Sequence, residues 1–202
     1  MSILLKQEII DHCDQGDIII NPYNPESVGP NSYDVTLSDK LATYRLGRSD
    51  RSGHSDRSDH SDQYLDVKKK NECQEIVIPD DGYVLQPGTL YLGSTNEVIG
   101  SDHFIPMYEG RSSMARLGIQ SHISAGFGDI GFISRWTLEI IVVHPVKIYK
   151  NMRIGQVYFH RVNAIANYVG NRYYGKYKWQ EGPQPSKSYD DVENRVTSGP
   201  TY

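Results

Sequence analysis

Residues 136–143 read Trp-Thr-Leu-Glu-Ile-Ile-Val-Val, and this stretch decides the fold class. Its β-branched and aromatic residues favour a strand. Side chains alternate between the two faces of a strand, so one face would carry Trp136, Leu138, Ile140 and Val142. Glu139 then lies on the opposite face, between Thr137 and Ile141. The stretch predicts a strand with one face in the core and a lone carboxylate on the other.

Similar runs recur along the chain, separated by Gly, Pro, Asn and Asp: Tyr33–Leu37, Gln74–Ile78, Thr89–Leu92 and Ile154–Phe159. Short strands at such spacing predict an all-β barrel or sandwich. Before them, residues 3–15 carry apolar side chains three and four positions apart and are followed by Gly16. That pattern predicts a short amphipathic N-terminal helix with a glycine stop.

The chain length of 202 residues allows one domain with extensions. We expect the domain to span residues 1–180, with a solvated insertion at 47–63, where Arg-Ser-Asp triplets contain no apolar anchor. His54 and His60 in the insertion are conceivable metal ligands, but a charge-balanced loop explains them better. Residues 181–202 should form a tail that is flexible or folds over a neighbouring surface.

Charge and hydropathy restrict the partners. With 21 basic and 25 acidic residues, the net charge of −4 gives no general attraction for nucleic acid. No apolar run is long enough to cross a membrane, so a cytoplasmic protein is expected. Cys13 and Cys73 form no C-x-x-C pair, which excludes the usual cysteine zinc sites and leaves a three-His or His-carboxylate site open.

The motif Gly110-Arg-Ser-Ser-Met-Ala-Arg-Leu-Gly118 concentrates two guanidinium groups and two hydroxyls between apolar strands. Arginine makes forked hydrogen bonds to phosphate oxygens, and small serines let backbone N–H groups approach an anion. The motif suits an oligophosphate. A turn with surface arginines is the alternative.

A second motif, Ser124-Ala-Gly-Phe-Gly-Asp-Ile-Gly-Phe132, predicts a tight hairpin whose backbone can approach a planar ligand. It leads into the strand that carries Glu139. Burial in that apolar strand should raise the pKa of Glu139, and a nearby arginine should oppose this. Glu139 is therefore either a proton-transfer group or one half of a structural ion pair.

A third motif, Lys176-Tyr-Lys-Trp-Gln180, follows Tyr168, Arg172, Tyr173 and Tyr174. Basic residues among aromatics are typical of nucleic-acid patches. The short stretch and the negative net charge favour a flap that closes over one nucleotide, and an ordinary aromatic edge is the remaining alternative.

In order and spacing, these motifs resemble the dCTP deaminase branch of the trimeric dUTPase superfamily. Three further segments match as well: Ile20-Asn21-Pro22, residues 29–37 and Ile154-Gly155-Gln156. The resemblance covers roughly residues 1–45 and 65–180. It implies a distorted, dUTPase-like β-barrel with a short N-terminal helix, assembled as a homotrimer with its sites at subunit boundaries.

The resemblance also implies residue roles. Glu139 would be the general acid and base, with Ser112 and Arg116 completing the catalytic group. Substrate contacts would come from Arg111, Ser113, Ser124, Ala125, Asp129, Thr137, Gln156, Tyr168, Lys176, Tyr177 and Gln180. Mg²⁺ would arrive bound to the triphosphate. Zinc is not expected, because the H-x-E and P-C-x-x-C motifs of zinc deaminases are absent from the sequence.

One difference within the family concerns the product. Members that stop at dUTP usually carry His-Arg where this chain has Gly126 and Phe127, so the resemblance implies a bifunctional enzyme that converts dCTP to dUMP. Ser124 stands where the family commonly has Thr, and Ser134 stands where it commonly has Gly. A monofunctional deaminase, a dUTPase and a catalytically silent nucleotide-binding regulator remain alternatives, and dTTP is a candidate inhibitor.

Overall fold

The computed structural model describes residues 2–46, 64–124, 126–162 and 173–191. The predicted insertion at 47–63, two predicted site residues (Ala125 and Tyr168) and the last part of the predicted tail lie outside the described residues. The helices include α1 (Lys6–Asp14), α2 (Ser112–Arg116) and a short 3-10 helix (Pro25–Ser27). The strands are β1 (Ile18–Asn21), β2 (Tyr33–Thr36), β3 (Lys40–Tyr44), β4 (Cys73–Val77), β5 (Tyr83–Leu85), β6 (Tyr91–Ser101), β7 (Phe104–Gly110), β8 (Ile119–Gln120), β9 (Ser134–Val142), β10 (Val146–Ile148) and β11 (Arg153–Arg161).

The strands form three antiparallel sheets that share one core. The largest sheet has the order β4-β3-β6-β9-β8, and β1 also pairs with β6. A second sheet has the order β2-β11-β7, and β5 pairs with β10. The predictions of a mainly β fold and of a short N-terminal helix are confirmed. No helix among the described ranges is long and apolar enough to span a membrane.

The N-terminal helix is shorter than its apolar pattern predicts. It begins at Lys6 because the preceding residues pair with β11: Ile3 forms a bridge with His160, and the N–H of Leu4 donates to the carbonyl of Phe159. It ends as predicted, since Gly16 has a φ of 80°, a conformation that glycine adopts without strain.

Strand β6 is much longer than the predicted Thr89–Leu92 and runs to Ser101. The four residues 94–97, beyond the predicted end of the strand, are all polar. In the structure the side chains of Ser94 and Thr95 are buried and hydrogen bonded. The hydroxyls of Ser94 and Ser38 share a hydrogen bond of 2.9 Å, and the Thr95 hydroxyl donates to the carbonyl of Glu97 at 2.7 Å. Because their polar groups are satisfied, they can lie inside the sheet.

Strand β9 has the alternation predicted from its sequence. Trp136, Leu138 and Ile140 are buried in the core, whereas Thr137 and Glu139 are only half-buried on the other face. The pairing of β9 with β6 sets Glu139 opposite Leu92 in the middle of the largest sheet. The fold therefore presents a carboxylate from a strand that is paired on both sides, with β6 and with β8.

Candidate active site

The outer face of β9 forms the floor of a cavity of about 270 Å³. The cavity is lined by His122, Ser124, Phe127, Gly128, Asp129, Phe132, Trp136, Thr137, Glu139, Tyr173, Tyr177 and Gln180. Six predicted site residues are thus together in one place: Ser124, Asp129, Thr137, Glu139, Tyr177 and Gln180. Five Phe, Tyr and Trp rings in the lining suit a flat ring, and the polar groups among them can fix its orientation.

Glu139 has a partner that the sequence did not suggest. Its Oε2 lies 2.6 Å from Nδ1 of His122, and the N–H of Ile123 donates to the same oxygen at 3.4 Å. Among the described residues Nδ1 has no well-aligned hydrogen bond, and the 2.6 Å contact is an ion pair when the imidazole is protonated. The other ring nitrogen of His122, Nε2, is 3.2 Å from Oγ of Ser124. His122 therefore links Glu139 to the Gly-rich motif.

The pKa of Glu139 differs from the expectation. Burial raises it, as predicted, but the contact with His122 and the N–H of Ile123 lower it by more, and the net pKa lies below the ordinary glutamate value. The opposing group is thus an imidazole rather than the predicted arginine. The carboxylate of Glu139 is held ionised, as a general base requires.

The Gly-rich segment is not the predicted hairpin. It is a loop that pairs with β7, where the N–H of Tyr108 donates to the carbonyl of Gly126 at 2.6 Å and Phe127 forms a bridge with Met107. A Cβ on Gly126 would lie 1.8 Å from the Tyr108 carbonyl oxygen, and one on Gly128 would lie 2.6 Å from the Trp136 ring. These glycines allow the loop to pack closely against β7 and the cavity floor.

The aromatic wall was also missed, although its residues are visible in the sequence. Phe132 stands edge-on to both Trp136 and Tyr173, with ring centroids 5.8 and 5.3 Å apart. Trp136 is almost fully buried, so the strand pattern assigned it to the core alone. Phe132 and Tyr173 lie in motifs we singled out, but their meeting depends on a contact across 41 residues that no local pattern encodes.

We use the name strap for residues 173–191, which cross the cavity. Gln180 is bound to β9: its side-chain amide donates to the carbonyl of Arg135 at 2.6 Å, and the Thr137 hydroxyl donates to its Oε1 at 3.3 Å.

Lys176 is outside the cavity lining and is paired with Asp191, whose carboxylate raises the pKa of Lys176. The part of the predicted tail that is described, residues 181–191, folds over a surface of its own chain.

A second polar cluster lies on the sheet β2-β11-β7. Asp34 forms ion pairs with two guanidinium groups through the same oxygen, Oδ2, which is 3.2 Å from Nη1 of Arg111 and 3.4 Å from Nη1 of Arg153. Gln156 pairs with Asp34 across the strands, and the hydroxyl of Ser32 donates to Oε1 of Gln156 at 3.3 Å. Two predicted phosphate-binding residues, Arg111 and Gln156, are thus neighbours of the same aspartate.

The remaining predicted residues lie on α2. Ser112, Ser113 and Arg116 are exposed, and none lines the Glu139 cavity. An adjoining cavity of about 520 Å³ connects the two regions, since it is lined by Ala115 of α2 and also by His122 and Ser124. Within the described part of the chain, no group of three His, Cys, Asp or Glu side chains is arranged to hold a metal ion.

Comparison with known proteins identifies the family. A family model described as dCTP deaminase-like matches residues 3–162, which is most of the chain. The chain belongs to the dCTP deaminase-like family. Within this family it is 42% identical to a protein named dCTP deaminase, dUMP-forming, from Clostridium botulinum, over 95% of this chain and 99% of that protein. A protein of the same name from Leptospira biflexa is 40% identical over 96% of this chain and 99% of that protein.

The fold of this dCTP deaminase-like chain also resembles a solved structure. The crystal structure of 2'-deoxycytidine 5'-triphosphate deaminase from Agrobacterium tumefaciens superposes with a TM-score of 0.59 at 20% identity. The match covers 82% of this chain and 50% of that one. It supports the fold of the dCTP deaminase-like domain, including the prediction of a distorted β-barrel.

Proposed function

We propose that this protein is a bifunctional enzyme that converts dCTP to dUMP, ammonia and pyrophosphate. The observation that carries the proposal is the ionised Glu139 beside His122 in an aromatic cavity. Two comparisons agree with it: the family to which the chain belongs and the dUMP-forming deaminases to which it is about 40% identical over nearly full length.

The first reaction is hydrolytic deamination of cytosine. Glu139 takes a proton from a water molecule as the water oxygen attacks C4 of the ring. It passes this proton to N3 of the ring, then takes the proton of the new C4 hydroxyl and gives it to the amino group; the C4–N4 bond breaks, the C4 carbonyl forms, and ammonia leaves. Because the carboxylate is ionised by its neighbours before reaction, it begins as the base and becomes the acid during the cycle.

The substrate-binding roles are divided between the cavity and its surroundings. We assign the base edge and the water to the backbone at Ser124 and Ala125, and the sugar hydroxyl to Asp129. Thr137 and Tyr177 contact the nucleotide where the strap meets β9, and Tyr168, outside the described residues, is assigned a further substrate contact. The triphosphate, with its Mg²⁺, is assigned to Arg111, Ser113, Gln156, Lys176 and Gln180, since guanidinium and ammonium groups bind phosphate oxygens strongly.

A second copy of the chain completes the site in our proposal. The cavity around Glu139 is lined by none of Ser112, Ser113 and Arg116, so the predicted residues of α2 lie outside it within one chain. Arg116 and Ser112 are exposed on α2 and available to a neighbour. The apolar side chains of Leu117 and Val143, 51% and 77% exposed, suit burial in a trimer interface.

The second reaction is hydrolysis between the α- and β-phosphates of dUTP. Water attacks the α-phosphorus, the bond to the bridging oxygen breaks, and pyrophosphate leaves. Support comes from Gly126 and Phe127, which replace the bulky basic pair expected in a dUTP-releasing enzyme. Inhibition by dTTP, a cytoplasmic location and the lack of nucleic-acid and membrane partners stay predictions.

The proposal is tested by the products formed from dCTP and Mg²⁺, separated by chromatography. We expect equal amounts of dUMP, pyrophosphate and ammonia. Accumulation of dUTP would indicate a monofunctional deaminase, and turnover of dUTP without dCTP would indicate a dUTPase. If neither nucleotide is changed although both bind, the chain is a nucleotide-binding regulator and the proposal is wrong.

A further inference from the structure

The hydroxyl of Ser134, the first residue of β9, is directed at the strap. Ser134 is 3% exposed, and its Oγ donates to the backbone carbonyl of Gln180 at 2.8 Å. A buried hydroxyl with one partner in the strap is a specific contact, because leaving either group without a hydrogen bond inside the protein is unfavourable.

This bond differs from the other contacts of Gln180. The Arg135 carbonyl and the Thr137 hydroxyl both bind the side-chain amide of Gln180. If that amide turns to a nucleotide, as the proposed function requires, those two contacts are given up. The bond from Ser134 uses the backbone of Gln180, so it persists whichever way the side chain points.

Ser134 also lies at one end of the part of the strap that lines the cavity. At the other end, the N–H of Tyr173 donates to the carbonyl of Ile130 at 2.9 Å. Between these two anchors are Tyr173, Tyr177 and Gln180, the three strap residues in the cavity wall. The wall is thus fixed on both sides by bonds to groups outside the strap.

Further along, the strap is fixed to another part of the sheet. The N–H of Ser186 donates to the Tyr44 hydroxyl at 2.9 Å, and the Ser188 hydroxyl donates to the carbonyl of Val67 at 2.8 Å. The N–H of Gln184 donates to the Thr137 hydroxyl at 3.1 Å. Gln184 lies four residues beyond the cavity wall, whereas the Ser134 bond holds the backbone of Gln180 itself, the last strap residue that lines the cavity.

We propose that Ser134 is a positioning residue of the nucleotide site, which acts by fixing the backbone of Gln180 and thereby the strap over the Glu139 cavity. The effect on nucleotide affinity rests on the proposed function, whereas the effect on the strap does not. Preordering the strap lowers the entropy lost when a ligand binds beneath it. Loss of the hydroxyl should therefore weaken binding while the chemical step is retained.

The first test is hydrogen exchange of the full chain with Ser134→Ala. We expect the amides of residues 177–186 to exchange about fivefold faster, the effect of one hydrogen bond, with the core strands unchanged. The control is Ser101→Ala, which removes another buried serine hydroxyl: it donates to the carbonyl of Asp17 at 2.6 Å, accepts from the N–H groups of His103 and Phe104, and contacts no strap residue. Unchanged strap exchange, or an equal change in the control, would overturn the proposal.

The second test is the kinetics of dCTP turnover by the same variants. Ser134→Ala should raise KM about fivefold with kcat within about twofold, and Ser101→Ala should change neither. A loss of kcat at constant KM would contradict positioning of the strap. If wild-type protein does not turn over dCTP, the proposed function fails while the exchange result still decides the role of Ser134. Should Ser134→Ala not fold, Ser134→Gly removes the same hydroxyl and carries the same expectations.

Discussion

Nδ1 of His122 lies 2.6 Å from Oε2 of Glu139, and this contact joins the short connection after β8 to the centre of β9. The pairing of β8 with β9, in which Gln120 is opposite Ile141, brings the two side chains together. The imidazole is one reason why burial does not raise the pKa of Glu139 above its ordinary value.

His122→Asn should move the acid limb of the pH–rate profile to higher pH. Activity requires ionised Glu139 and is lost as pH falls through its pKa. Without His122, burial is less strongly opposed, the pKa rises, and the loss begins at a higher pH. The measurement is kcat/KM for dCTP against pH. The same substitution at His103, which is 3.6 Å from Asp17, should leave the acid limb in place. A shift to lower pH in His122→Asn would contradict the account.

Asp191→Asn should lower KM for dCTP. Lys176 pairs with Asp191, and a triphosphate must compete with this carboxylate for the ammonium group. The ion pair is largely exposed, so the expected decrease is about two- to fivefold at low salt. Asp80→Asn is the matched control, because it breaks the Lys150–Asp80 pair (2.5 Å) outside the site. An increase in KM, or an equal decrease in the control, would show that Asp191 does not compete with substrate.

The protein should be more stable with glycine than with alanine at position 179. Trp179 has a φ of 63°, which is strained for a bulky residue, and its side chain is 71% exposed. Trp179→Gly should be more stable than Trp179→Ala by about 1 kcal/mol, measured by urea unfolding with the fluorescence of Trp136, which is then the single tryptophan. At Tyr174, whose φ is negative, the order of the Gly and Ala variants should reverse. If the Gly variant were the more stable one at both positions, or the Ala variant at both, the backbone of Trp179 would not be strained.

Much of the fold and part of the site could be predicted from the sequence. The period of two placed Glu139 on the outer face of β9, since alternation is a local property. The length of β6 could not be predicted, because it depends on hydrogen bonds such as that between Ser94 and Ser38, 56 residues apart. The partners of Glu139 and Arg111 were missed for the same reason: His122 and Asp34 reach them only through strand pairing.

Mixing two inactive variants should restore activity if the site is shared between chains. Glu139→Gln lacks the base, and Arg116→Gln lacks the guanidinium on α2. In randomly mixed trimers, about a quarter of the sites would combine an intact cavity from one chain with an intact α2 from its neighbour. The measurement is ammonia release after joint refolding or co-expression. A mixture as inactive as its parents would indicate that each site is built from one chain.

The central claim is that Glu139 moves the proton in the deamination of dCTP, and Glu139→Gln tests it most directly. The amide has nearly the same shape but cannot accept and return a proton. We predict that ammonia release falls by about a thousandfold while binding of dCTP with Mg²⁺, measured by calorimetry, stays within a few-fold of wild type. Ammonia release within tenfold of wild type would contradict the claim.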